Sequence, residues 1–144
     1  MERKESEGLK LVCTMNRLDG LYRIAARKKG IKINTLIFLR AINDGREHTQ
    51  KTLCDEWLIP KTTLNTIVQE CIEKGYVSLV NMKHSKEKGI CVTAQGKAYS
   101  DQMEAEISQA EKKAMRATSD AYGSVLIEAM QKYTAYFEKE LNQK

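Results

Sequence analysis

Along most of this chain apolar residues recur at helical spacing. From Pro60 to Gly75, PKTTLNTIVQECIEKG, they fall at Leu64, Ile67, Val68, Cys71 and Ile72, the stripe of a helix with one buried face. The opposite face opens with Lys61, Thr62, Asn65, Thr66 and Gln69, which are short, polar and rich in donors. A face meant only for water would more usually carry long Glu/Lys pairs, so this one reads as built to touch a partner, with DNA the first candidate. The preceding segment predicts a partner helix. Thr49 is a candidate N-cap, Leu53, Cys54 and Trp57 face inward, Leu58-Ile59 makes an apolar corner, and Pro60 suits the first turn of the next helix. Gly75 stands just past that helix.

Two β-rich runs follow, Tyr76–Val80 and Ile90–Thr93, flanking the polar stretch Asn81–Gly89. They predict a β-hairpin with a basic projecting tip, the shape called a wing. Upstream, Leu9–Arg27 predicts a helix with an apolar stripe at Leu11, Met15, Leu18, Tyr22 and Ala25, widened by Val12 and Leu21. Arg27, Lys28 and Lys29 favour the negative end of its dipole, and Gly30 is placed to stop it. Asn34 or Thr35 is the expected cap of the next helix, whose run Leu36, Ile37, Phe38, Leu39 and Ile42 is apolar on nearly every side and therefore central to the core. Asn43-Asp44-Gly45 ends it with turn chemistry. After Thr93 the chain is helical again, with a seam at Tyr99, Met103, Ile107, Ala110 and Ala114. After a break near Ser119–Gly123, a last helix carries Leu126, Met130, Tyr133, Phe137 and Leu141. These terminal seams have no long partner left within the chain, which points to a two-fold homodimer.

Composition narrows the classes. The net charge is +5, spread unevenly: Met1–Arg40 holds 10 Lys/Arg against 4 Asp/Glu, whereas Ala98–Lys144 holds 6 against 8. A basic chain fits a polyanionic partner, though basicity alone is weak evidence. No apolar run approaches the roughly 20 residues of a membrane span, and the polar opening Met1–Gly8 does not read as a signal peptide, so a cytoplasmic protein with no membrane partner is expected. Cys13, Cys54, Cys71 and Cys91 lack CxxC spacing, which argues against a disulfide framework and a metal site. His48 and His84 are isolated, Asp55-Glu56 is a solvated pair, and no catalytic motif occurs, so neither an enzyme nor a cofactor is expected.

In this order the elements resemble the MarR family of bacterial winged-helix transcriptional regulators. The likeness concentrates in Thr49–Gly96: TQKTLCDEWLIPKTTLNTIVQECIEKGYV looks like the family's helix, turn and recognition helix, and VTAQG (Val92–Gly96) resembles its LTxxG, which closes the wing and opens the long dimer helix. The wing differs, with Ser85, Lys86 and Glu87 where the family typically has an Asp-Arg-Arg-like triplet. His48 stands where an apolar residue is usual, and Pro60 where a capping Ser or Thr is common. The resemblance implies a mainly α fold with a small β-hairpin wing: a winged helix-turn-helix lobe at 33–97, and a helical dimerisation region formed by 1–32 and 98–144. It also implies a homodimeric regulator, expected to act as a repressor on a palindromic operator in double-stranded DNA and to be released by a small aromatic ligand. Met15, Tyr22, Phe38 and Tyr99 are the expected lining of a ligand cleft. The resemblance also raises thiol sensing, but Cys13 falls more than a turn from the family's reactive position.

For the DNA contact itself, Thr62, Thr63, Asn65 and Thr66 can reach phosphates or base edges, and Asn65 and Gln69 have the amide geometry to pair with adenine. Lys61 and Gln50 are natural phosphate contacts, and Lys83, Lys86 and Lys88 give the wing an electrostatic footprint. With the wing arginine missing, Thr62, Asn65, Thr66 and Gln69 are expected to carry most of the sequence discrimination. The alternative reading is a winged-helix module that binds proteins without sequence-specific DNA recognition.

Overall fold

A computed structural model of the chain describes residues 6–143. The charged opening Met1–Glu5, part of the stretch read above as no signal peptide, and Lys144 lie outside them. The order is α1 (Glu7–Lys28), α2 (Ile33–Ile42), α3 (Gln50–Trp57), α4 (Lys61–Glu73), β1 (Val77–Asn81), β2 (Lys88–Val92), α5 (Ala94–Tyr122) and α6 (Leu126–Leu141). Two compact units result, Met1–Ala105 and Glu106–Lys144. The boundary falls inside α5 and keeps α1 with the winged lobe.

In the first unit, Ser6 caps α1, its Oγ accepting from the Leu9 N–H at 3.1 Å. At the other end Gly30 takes a left-handed φ of 76°. The Gly30 N–H then donates to the Arg27 carbonyl and the Ile31 N–H to the Ala26 carbonyl, the paired bonds of a Schellman ending. Ala26 and Ile31 are both buried, so the turn is nailed down by packing as well as by hydrogen bonds. This leaves a single residue before α2, whose N-cap is Lys32, with no side-chain cap. The expectation of Asn34 or Thr35 at that position is corrected: with Ile31 pinned in the core, the backbone enters the helix at Ile33.

Helix α2 is central to the core. Leu36, Phe38, Leu39 and Ile42 are buried together with Leu53 of α3, Leu64, Ile67, Val68 and Cys71 of α4, and Val77 and Ile90 of the hairpin. Among the expected inward residues of α3, Cys54 and Trp57 are only half-buried. Thr49 caps α3 as expected, accepting from the Thr52 N–H at 3.1 Å. The apolar corner after α3 is different in kind from the expectation. Leu58 adopts φ 53° in the left-handed region and is 86% exposed, so it supplies backbone geometry to the turn and adds little to the core.

Helix α4 ends on a second Schellman motif around Gly75 (φ 77°), with Gly75 N–H to the Ile72 carbonyl and Tyr76 N–H to the Cys71 carbonyl. Strands β1 and β2 pair antiparallel from Val77↔Val92 to Asn81↔Lys88. The loop between them is therefore Met82–Glu87, shorter than the expected Asn81–Gly89, because Lys88 and Gly89 are already in the ladder. His48 adds an antiparallel bridge to Ile90, extending the base of the wing.

The second unit consists of the end of α5 and all of α6. No α6 residue is buried, and Leu126, Ile127, Tyr133, Tyr136, Phe137 and Leu141 are all exposed, with Tyr133 and Phe137 stacked at 6.0 Å. Gly123, at φ 75°, separates the two helices. Among the described residues no helix is long and apolar enough to cross a membrane.

Candidate nucleic-acid interface

The candidate contact face is built from α4 outward. Burial of Leu64, Ile67, Val68 and Cys71 fixes the rotation of the helix, and the 3.6-residue period then turns Lys61, Thr62, Asn65, Thr66 and Gln69 to solvent. Thr63 is half-buried at the edge of the same face. Gln50, the first residue of α3, lies half-buried beside it, and its Nε2 donates to Asn65 Oδ1 at 3.4 Å. Thr66 Oγ1 donates back to the Thr62 carbonyl at 3.1 Å, which leaves its methyl group and lone pairs facing outward. The helix-turn-helix thus brings seven of the ten expected contact residues onto one surface.

The other three, Lys83, Lys86 and Lys88, are exposed on the wing. They are not equivalent. Lys88 sits in the last ladder pair, and its ammonium is held by Asn81 Oδ1 across the hairpin, whereas Lys83 and Lys86 lie in the loop. Ser85 orders that loop by accepting from the Glu87 N–H at 3.1 Å.

Two features behind this surface were missed in the sequence. The first is the joint between α4, the wing and α5. Thr93 N–H donates to the Tyr76 carbonyl at 3.0 Å, Thr93 Oγ1 donates to the Gly75 carbonyl at 2.6 Å, and Thr93 Oγ1 also accepts from the Gly96 N–H at 3.0 Å. A Cβ on Gly96 would stand 1.9 Å from the Tyr76 carbonyl oxygen, so the VTAQG glycine is required by close backbone approach. The rings of Tyr76 and Tyr99 stack at 4.3 Å over the same joint.

The second is a polar knot at the wing base. His48 is not isolated, as its Nε2 lies 2.9 Å from Asp44 Oδ1 while Arg46 Nε donates to Asp44 Oδ2 at 2.9 Å. The His48 hydrogen bond, and then that from the Arg46 backbone N–H, hold the Asp44 carboxyl well below the usual carboxylate range. The Asp44-x-x-x-His48 spacing was a signal available in the sequence.

The four expected ligand residues do not line one cavity within the chain. Phe38 is fully buried in the core. Tyr22 lines a cavity of about 340 Å³ between α1 and α2, with Ile37 and Arg40. Tyr99 lines a separate cavity of about 290 Å³ with Tyr76, Cys71, Lys74 and Lys32. Met15 lines neither and is exposed on α1. Cys13 is likewise exposed, whereas Cys71 is buried, and burial pushes its thiol up to about 11. Among the described residues no three His, Cys, Asp or Glu side chains gather as metal ligands.

The lobe's geometry agrees with what comparison finds. Residues 29–81, from the turn after α1 to the end of β1, match the sequence model of the MarR family. Similar solved structures include NMB1585, a MarR family regulator from Neisseria meningitidis, at 16% identity and a TM-score of 0.80, covering 95% of this chain and 97% of that one. A MarR family transcriptional regulator from Listeria monocytogenes complexed with 26mer DNA is similar at 18% identity and a TM-score of 0.75, covering 98% and 99%. CouR from Rhodococcus jostii RHA1 bound to p-coumaroyl-CoA is similar at 16% identity and a TM-score of 0.71, covering 88% and 90%. None of the curated proteins compared is similar enough in sequence to match. The chain therefore has the winged-helix fold of MarR family regulators, and its residues 29–81 match that family's sequence model.

Proposed function

We propose that this protein is a cytoplasmic DNA-binding transcriptional regulator that acts as a repressor. The observation that carries the reading is the exposed polar face of α4, with short side chains at its N-terminal turns and lysines on an adjacent wing. These are the features needed to enter a major groove while neutralising phosphates. The likeness to a regulator solved with DNA supports it over a winged-helix module for protein partners. Gln50, Lys61, Thr62, Thr63, Asn65, Thr66, Gln69, Lys83, Lys86 and Lys88 form the proposed contact set.

The protein works as a homodimer, with residues 1–32 and 98–144 as the dimerisation region and 33–97 as the reading lobe. Exposed Leu9, Val12, Met15, Leu18, Leu21 and Ile24 along α1, and the bare apolar side chains of α6, support this division, because apolar surface of that extent calls for a partner. Two copies would address half-sites roughly one helical turn apart in a palindromic operator. A small aromatic ligand releases the operator, in keeping with the aromatic p-coumaroyl group of the ligand found on CouR. The protein carries out no catalysis.

The test is selection of bound sequences from a random DNA pool at stated salt, followed by mobility shifts on the region upstream of its own gene. A palindromic consensus is expected, with binding weakened by Lys61→Ala and Asn65→Ala. Absence of any salt-sensitive binding, with both substitutions silent, would sink the reading.

A further inference from the structure

We infer that Gln50 is a positioning residue for Asn65, and that the pair reads one adenine in each half-site. This rests on the DNA-binding reading above and specifies where its discrimination lies. The observation is the hydrogen bond from Gln50 Nε2, at the first position of α3, to Asn65 Oδ1, in the second turn of α4. Both residues sit on the exposed side of a helix pair whose geometry is fixed from beneath by Leu53, Leu64 and Val68.

The donor and acceptor count decides what the pair can recognise. A carboxamide has two N–H donors and an oxygen with two lone pairs. The Gln50 bond takes one lone pair of Asn65 Oδ1, leaving the other lone pair and both Nδ2 protons for a base. Adenine presents one acceptor, N7, beside one donor, the N6 amino group, and Asn65 can meet both together. Guanine presents two acceptors, N7 and O6, and a carboxamide oxygen held toward that edge meets only like polarity. The neighbouring hydroxyl does not change the outcome, since Thr66 gives its proton to the Thr62 carbonyl and offers no donor to guanine. With Gln50 donating as it does here, Asn65 Oδ1 is held, and with it one of the two flips of the Asn65 amide, while the second N–H of Gln50 stays available for a phosphate.

Random-pool selection on wild type, Gln50→Ala, Gln50→Glu, Asn65→Ala and the Gln50→Ala/Asn65→Ala double variant tests this, with thermal melts to confirm folding. Wild type is expected to show an adenine column with discrimination on the order of ten- to a hundredfold, and Asn65→Ala to lose it. Gln50→Ala should flatten that same column by roughly three- to tenfold and leave the others alone, and the double variant should be no flatter there than Asn65→Ala. Gln50→Glu keeps the shape but can only accept, so it draws the Nδ2 end of Asn65 toward itself and should abolish the adenine preference. A Gln50→Ala variant that weakens binding evenly across all columns overturns the inference and leaves Gln50 as a phosphate contact, with the DNA reading intact. An Asn65-dependent column of guanine, or independent effects in the double variant, overturns it equally. If wild-type protein selects no sequence, the DNA reading falls and takes this inference with it.

Discussion

Cys71 faces the core from α4, and desolvation there, with Glu70 adding to it, lifts its thiol from 9.0 to about 11. A thiol raised in the folded state contributes its stability fully below the unfolded value and loses it as pH climbs through the folded one. Stability should therefore decline between about pH 9 and 11, read by urea melts across that range, and Cys71→Ser should remove that part of the slope. Gly96 gives a sharper outcome. Gly96→Ala forces a methyl group to within 1.9 Å of the Tyr76 carbonyl and should cost about 1–3 kcal/mol or more in a denaturant melt. Gly123→Ala, with open space around it, should cost only the roughly 1–2 kcal/mol of a left-handed backbone. Leu58 is the reverse case, a side chain in the left-handed region with almost no burial to offset it. Leu58→Gly should leave the melting temperature unchanged or higher, and a clear fall would show that Leu58 packs against something in solution.

At the scale of elements, the helices were largely legible because their apolar residues recur at helical spacing, and a 3.6-residue stripe needs no tertiary knowledge to be seen. Gly30 and Gly75 marked true ends for the same reason: each Schellman turn is written in a short local sequence. What escaped was set by distant contacts. The start of α2 was fixed by burial of Ile31 and not by a capping side chain, and β2 began early because Lys88 and Gly89 find partners in Asn81 and Val80. Of the two partners of His48, Asp44 lies four residues away and was within reach of the sequence, whereas the strand residue Ile90 stands more than 40 positions on. The candidate contact face was readable residue by residue, but the Gln50–Asn65 bond crosses two helices and has no sequence signature. The exposed stripe of α1 carries its own prediction. Leu18→Glu or Leu21→Glu should leave the proposed dimer monomeric by light scattering while keeping the helical circular dichroism in place, since neither residue is in the core of its own chain.

For the molecule as a whole, the division of labour between helix and wing predicts a division in the measurements. On the proposed homodimer, Lys83→Ala and Lys86→Ala should each lower the slope of log affinity against log salt by about 1.8, roughly 0.9 for each subunit's lost contact, and leave the selected consensus unchanged. Lys88→Ala should do less, because Asn81 already holds its ammonium. If a wing lysine changed the consensus instead, the wing would be reading bases and the burden placed on α4 would be wrong.

The joint at Tyr76 has a mechanical consequence. The end of the recognition helix, the base of the wing and the first turn of α5 share hydrogen bonds through Thr93, close backbone contact at Gly96 and a stacked ring pair. These contacts tie the three elements together, so α4 and the start of α5 should move as one body. Amide exchange should record this, with the Tyr76 and Thr93 protons released only when the surrounding lobe opens as one cooperative block. An effector that displaces α5 at this end would then carry the reading head with it undistorted, like a key turned by its shank.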